Sequence, residues 1–143
     1  MDTNVLLRFV DRNHPLHPIV RAAIQNTRRR GDWLCVTGQN FVEFWNVATR
    51  PVVRNGFGLS SADADRRLRL LERLFPILPE VPNIYPEWRR IVVAFGVAGV
   101  QVHDARLVAV MRAHGVSHIL TFNDTDFARY VAEGIVATNP LHV

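Results

Sequence analysis

The stretch that decides the fold is VHDARLVAVMRAHGVSHILTFNDTDFARY, residues 102–130. Its first half predicts a helix over residues 103–114, and the letters HILT that follow predict a short buried strand. Asp104 lies on the apolar face of this helix, because Leu107, Val108 and Met111 follow it at positions i+3, i+4 and i+7. A carboxylate in such a place must be solvated, paired or bound to a cation.

Polar residues follow the strand in the letters TFNDTDF, which contain Asn123, Asp124 and Asp126. Either Asn123 or Asp124 fits the N-cap of a next helix, and Asp126 fits its first turn. A short helix near residues 126–133 and a last strand near 135–137 are predicted to complete the chain.

Outward from this stretch, the sequence alternates between helical patterns and short apolar runs. Helices are predicted over 4–10, 18–30, 38–51, 60–75 and 85–98, and strands over 33–37 and 77–81. Strands separated by single helices pair in parallel, so we expect a three-layer α/β/α sandwich with a short parallel central sheet. Ligand sites in such sheets gather at the carboxyl ends of the strands.

The composition fits a single domain, residues 1–143, with a positive formal net charge of +4. All 17 basic residues are arginines, which suits a nucleic-acid or an acidic protein partner, although codon bias also enriches arginine. Cys35 is the one cysteine, which excludes an internal disulfide and a cysteine-built zinc site. With no long apolar run and no signal peptide, we expect a cytoplasmic protein.

Two further acids stand in unexpected places, Asp2 before the apolar run VLL and Glu43 inside FVEFW. Each acid has a structural explanation when it is taken alone. Asp2 could be a flexible terminal residue or a helix cap, and Glu43 could pair with Arg50. Asp104 could simply favour the helix dipole. Together, these explanations require four independent coincidences at strand ends or apolar helix faces.

The alternative is that Asp2, Glu43, Asp104 and Asp126 converge in one anionic pocket. Carboxylates at close range raise one another's pKa values, and such a cluster is stable in its ionised form only around cations. Oxygen ligands without cysteine or paired histidine select Mg²⁺ or Mn²⁺. One or two such ions polarise a phosphodiester bond and stabilise its leaving oxygen.

The segments DTNVLL, FVEFWNV and 102–130 together resemble a PIN domain, with the VapC-type toxins of bacterial toxin–antitoxin pairs as the nearest likeness. The resemblance implies a PIN-like fold and a Mg²⁺- or Mn²⁺-dependent endoribonuclease, a dimer held inactive by a cognate antitoxin. By position, its acidic site corresponds to Asp2, Glu43, Asp104 and Asp126. Asp2 and Asp104 are the first candidates to hold metal.

The resemblance also implies roles for the residues around these acids. Thr3 and Asn4 match the small polar residues that orient the first acid, and Thr121 matches a hydroxyl that supports the site. In one common form of the motif an acid occupies the position of Asn123, so Asp124 remains a possible substitute for Asp126.

The sequence departs from the family pattern at its start, where Met1 alone precedes Asp2. The first strand is therefore expected to be truncated, or else the true start lies upstream. This departure keeps a second function open, a catalytically weak or inactive PIN domain that binds RNA or protein.

Overall fold

The computed structural model describes all residues, 1–143, and confirms the alternation of helices with short strands. The helices are α1 Thr3–Val10, α2 His17–Arg29, α3 Gly38–Thr49, α4 Ser61–Leu74, α5 Ile84–Ala94, α6 Val102–Ala113 and α7 Asp124–Phe127. The strands are β1 Val36–Thr37, β2 Ile77–Leu78, β3 His118–Leu120 and β4 Val136–Thr138. Short 3₁₀ segments span Val52–Arg54, Gly99–Gln101, Ala128–Glu133 and Pro140–His142.

Local capping explains where the two best-defined helices begin. Thr37 caps α3 through a capping box, in which its hydroxyl accepts from the Asn40 N–H and the Asn40 side chain accepts from the Thr37 N–H. Ser60 caps α4 by accepting from the backbone N–H of Asp63 at 3.1 Å. The polar residues that open each helix are therefore part of its stability.

The strands pair in parallel, as the sequence predicts, but they form two separate pairs, β1 with β2 and β3 with β4. Residues 1–2 connect the pairs. The Met1 ammonium donates to the Cys35 carbonyl at 2.7 Å, and the Asp2 N–H donates to the Leu120 carbonyl at 2.9 Å. Each strand pair is thus linked to residues 1–2 by one hydrogen bond, although these two residues form no strand.

Three predicted elements are longer than the observed ones, and the reason is identifiable for two of them. The predicted strand over 33–37 forms only at 36–37, since the N–H groups of residues 33–35 donate no hydrogen bond to a neighbouring strand. The predicted helix over 85–98 ends at Ala94, and Gly96 follows with a positive φ of 57°. A second strand, predicted over 77–81, is likewise reduced to Ile77–Leu78.

Two apolar clusters lie on opposite faces of the strands and define the three layers. Helices α1 to α4 build the first cluster, and α5 and α6 supply most of the second. Neighbouring residues of β3 divide between them, with Leu120 in the first cluster and Ile119 in the second. This confirms the expected α/β sandwich. None of its helices has the length and apolar character needed to cross a bilayer.

Candidate active site

Asp2 is buried at the start of α1, with only 6% of its surface exposed. Its Oδ2 accepts from the Asn4 amide and from the Thr121 hydroxyl, both at 2.6 Å. Burial raises the pKa of Asp2 more than these hydrogen bonds and the nearby N-terminal ammonium lower it. Asp2 occupies the N-cap position of α1 but its side chain makes no capping bond, so the carboxylate faces the strand ends instead.

Asn4 and Thr121 fix the position of Asp2 from two directions. The side-chain amide of Asn4 also donates to the Thr121 hydroxyl at 3.2 Å, and the side-chain oxygen of Asn4 accepts from the Phe122 N–H at 3.2 Å. Thr121, which is fully buried just after β3, accepts from the Asn123 N–H at 2.9 Å. One oxygen of Asp2 is therefore held by neutral donors from both ends of the chain.

Glu43 lies on the side of α3 that faces α1. Its Oε2 accepts from the Thr3 hydroxyl at 2.6 Å, and its Oε1 accepts from the Gln39 amide at 2.8 Å. The structure contains no ion pair between Glu43 and Arg50, and the nearest basic atom, Nδ1 of His103, is 4.0 Å away. Thr3 thus supports the second acid, while its neighbour Asn4 supports the first.

Asp104 lies in the first turn of α6, half-buried as the apolar spacing indicates. Its pKa is raised to about 6, first by desolvation and then by the charges of Asp2, Asp126 and Glu43. These charges act on Asp104 only because their carboxylates lie near it. The structure therefore brings together the four acids to which the sequence pointed, and we refer to Asp2, Glu43, Asp104 and Asp126 as the acidic cluster.

Asp124 and Asp126, the two acids that follow β3, lie in different surroundings. Asp126 lies close enough to raise the pKa of Asp104. Asp124 instead accepts from the Asn139 amide at 2.9 Å, next to the end of β4. Asn123 occupies the N-cap position of α7 without a side-chain capping bond, and it is exposed. The geometry favours Asp126 over Asp124 as the fourth acid.

The donor set fits a hard divalent cation that keeps much of its hydration. The acidic cluster offers carboxylate oxygens alone, and none of its members pairs with an arginine. No three carboxylate, imidazole or thiol side chains lie close enough to enclose one ion. Mg²⁺ commonly takes only one or two carboxylates and completes its shell with water and substrate oxygens. The arrangement suits that mode of binding and not a closed, all-protein cage.

Two residues in this region were not anticipated from the sequence, Gln39 and Asn40. Asn40 is fully buried and donates to the Thr3 hydroxyl at 3.1 Å, so it orients the group that holds Glu43. Gln39 donates to Glu43 and, at 2.9 Å, to the backbone carbonyl of His103. The signal in the sequence is TGQN, a capping pattern directly after a buried strand.

Comparisons with known proteins bear on the family and the fold of this chain. The family model described as the PIN domain matches residues 1–133. Among solved structures, VapBC-1 from nontypeable Haemophilus influenzae is similar in fold, with a TM-score of 0.70 and 14% identity. The match covers 97% of this chain and 95% of that one. A search of the curated proteins gives no match. Since the family model spans nearly the whole length, the chain belongs to the PIN domain family.

Proposed function

We propose that this protein is a metal-dependent endoribonuclease that hydrolyses phosphodiester bonds, and that it is the toxin of a toxin–antitoxin pair. The observation that carries the proposal is the acidic cluster around Asp104, whose pKa is raised to about 6 by burial and then by the neighbouring acids, and whose members pair with no arginine. PIN domains are generally nucleases, and the fold similarity to VapBC-1 is consistent with a toxin.

Each member of the acidic cluster has a role in this proposal. Asp2 and Asp104 hold Mg²⁺ or Mn²⁺ directly, and Glu43 and Asp126 orient the water of its shell or hold a second ion. The cation, when bound, polarises the phosphodiester and lowers the pKa of a water molecule. Asn4 and Thr121 keep Asp2 aimed at the cation, while Thr3 keeps Glu43 in place. The products would carry 5′-phosphate and 3′-hydroxyl ends.

The partners follow from charge and from the family. A net charge of +4, carried by arginines, attracts an RNA backbone to the anionic pocket once a cation occupies it. We further propose a cognate antitoxin that covers the pocket with an acidic or aromatic segment, a homodimer, and a cytoplasmic location. Co-purification with the product of the neighbouring gene tests the antitoxin, and sedimentation equilibrium tests the dimer.

A second function is favoured by one specific observation, namely that no three ligating side chains surround a single ion position. A PIN domain with this geometry could bind RNA or a protein without cleaving it. In that case the acidic cluster would bind basic groups of a partner instead of a cation.

One experiment distinguishes the two functions. Structured RNAs are incubated with purified protein in Mg²⁺, in chelator, and with the variants Asp104→Asn and Glu87→Gln. The second variant removes an acid that lies among arginines on α5 and is a matched control. We expect cleavage by the native protein and by Glu87→Gln in Mg²⁺ alone. Cleavage that survives both chelation and Asp104→Asn would refute the assigned site, and binding without cleavage would favour the second function.

A further inference from the structure

Arg8 is an arginine beside the acidic cluster that pairs with none of its members. It lies on α1, one turn beyond Asn4, and the charge of Asp2 raises its pKa while burial lowers it by more. Its Nη1 donates to the backbone carbonyl of Asn4 at 2.7 Å, and its guanidinium carbon lies 4.8 Å from the centre of the Phe122 ring. Its Nε is buried and has no hydrogen-bond partner.

Five other arginines are paired with acids, whereas Arg28, which lies away from the acidic cluster, is held like Arg8 by a backbone carbonyl and an aromatic ring. Each of five arginines forms an ion pair with a carboxylate, namely Arg66, Arg69, Arg90, Arg106 and Arg112. Arg8 is held by a backbone carbonyl and an aromatic face, which leave its charge uncancelled. A half-buried guanidinium whose charge is balanced by no carboxylate favours binding of an anion from solution.

The contacts that hold Arg8 also keep it away from the carboxylates. A direct ion pair with Asp2 would neutralise that acid and compete with a cation for it. Asn4 contacts both groups, Asp2 through its side chain and Arg8 through its backbone carbonyl, while Asp2 and Arg8 form no ion pair with each other. A phosphate group, which needs a cation on one oxygen and can accept bidentate donors on others, matches this arrangement.

We propose that Arg8 binds a backbone phosphate of the RNA that lies over the acidic cluster, with Phe122 and the Asn4 carbonyl fixing the plane of its guanidinium. This assignment rests on the proposed function, since it deepens the substrate binding of the same site. Arg8 is thus a residue that positions substrate, and it adds an attraction for RNA that does not depend on the divalent cation.

The test measures binding of a fluorescein-labelled single-stranded RNA by anisotropy, in chelator, over a range of salt concentrations. Asp104→Asn protein serves as the common background, so that no cleavage interferes. We expect Arg8→Gln to weaken binding about tenfold and to reduce the slope of log affinity against log salt by about 0.7, as the loss of one contact to single-stranded RNA predicts. Arg8→Lys should fall in between, because it keeps the charge and loses the planar fork.

Arg69→Gln is the matched control, since it removes one positive charge that is already paired with Asp65 on α4. We expect its binding to be unchanged. An equal Mg²⁺-induced rise in melting temperature in the native protein and in Arg8→Gln, both with Asp104 intact, would show that the acidic cluster is undisturbed. If Arg8→Gln does not fold, Arg8→Lys still tests the RNA affinity, because it loses the planar fork of the guanidinium.

The outcomes separate this inference from the proposed function. Equal RNA affinity and salt slope for Arg8→Gln and Arg69→Gln would overturn the role of Arg8, even if native protein cleaves RNA in Mg²⁺. Weaker binding by Arg8→Gln alone would support it, even if native protein cleaves nothing. In a cleaving protein, we expect Arg8→Gln to raise KM more than it lowers kcat, which a purely structural role would not predict.

Discussion

The molecule contains two groups of carboxylates that differ in their partners and therefore in their charge properties. Glu87 and Glu133 lie between Arg90 and Arg112 and form ion pairs with both. Hydrogen bonding to Arg90, and then to Arg112, holds the pKa of Glu87 down at about 2. Asp104, on the neighbouring helix α6, has a pKa raised to about 6 among other acids.

The difference teaches that burial and the available partners, and not the residue type, determine the pKa of a carboxylate here. Arginines balance the charges of both glutamates in the first group. The contacts between these residues link α5 and α6 to the segment before β4. In the acidic cluster, Asp2 and Glu43 are held by neutral amides and hydroxyls, which position these carboxylates without cancelling their charge. An uncompensated group of acids favours a cation from solution.

Replacing one acid in each group gives the largest contrast, in catalysis. We expect Asp104→Asn to lower kcat for RNA cleavage by at least about 100-fold, because several kcal/mol of charge stabilisation depend on the cation that it holds. Glu87→Gln should retain nearly full activity. The measurement is single-turnover cleavage of a labelled RNA in Mg²⁺. Similar losses in both variants would mean that the contrast reflects general instability.

Cation binding gives the next contrast, and it needs no activity. At a Mg²⁺ concentration about 100 times its dissociation constant, linkage stabilises the folded state by about 2.7 kcal/mol. We expect Mg²⁺ to raise the melting temperature of the native protein and of Glu87→Gln. It should raise the melting temperature of Asp104→Asn much less. Calorimetry with and without Mg²⁺ measures it. An equal rise in all three proteins would place the cation elsewhere.

Stability against pH, measured in chelator, gives opposite signs for the two groups. The folded-state pKa of Asp104, about 6, lies above its ordinary value of 3.8, so the folded protein binds an extra proton between these values. Stability contributed by this group therefore falls as pH rises from about 4 to 6. At pH 7 we expect Asp104→Asn to be more stable than the native protein by about 1 kcal/mol, after allowance for solvent screening.

Glu87 behaves in the opposite way. Its folded-state pKa, about 2, lies below the ordinary 4.5, so its stabilising contribution is present above that value and is lost as pH falls through the interval. Glu87→Gln should lower stability at pH 7 by less than about 1 kcal/mol, since the ion pairs are partly exposed to solvent. Urea unfolding at pH 7 and pH 3 measures both effects. A cost of Glu87→Gln that is as large at pH 3 as at pH 7 would not come from these ion pairs.

The sequence predicted most of the fold because the information is local. The apolar spacing of α6 and the cap at Ser60 each lie within one helix, and both helices form where expected. The strands were overpredicted at 33–35, since a strand also needs a neighbour and apolar residues alone do not show whether one exists. The division of the sheet into two pairs is likewise a property of pairing, which no local pattern contains.

For the acidic cluster, residue types in the sequence indicated which acids to consider but not which contacts hold them. The acids stood out because charges are unusual on apolar faces and beside buried strands. Gln39, Asn40 and Arg8 are ordinary residues in a helix, and only the packing of α1 against α3 and of Phe122 against α1 gives them their roles. Residue identity therefore indicated a set of acids, and tertiary contacts determine how their side chains are oriented.

The smallest expected effect concerns Asp124 and Asp126, two acids of one short helix that sequence alone did not separate. Asp124→Asn should leave the cleavage rate within about twofold of native. Asp124 is not among the charges that shift the pKa of Asp104, and the amide oxygen of an asparagine can still accept from Asn139. Asp126→Asn removes a charge that acts on Asp104 and should lower kcat about tenfold or more, as loss of a group that orients the reacting water does. Parallel cleavage assays of the two variants measure the difference. The reverse order of effects would move the fourth acid to Asp124 and would require α7 to rotate when RNA and cation bind.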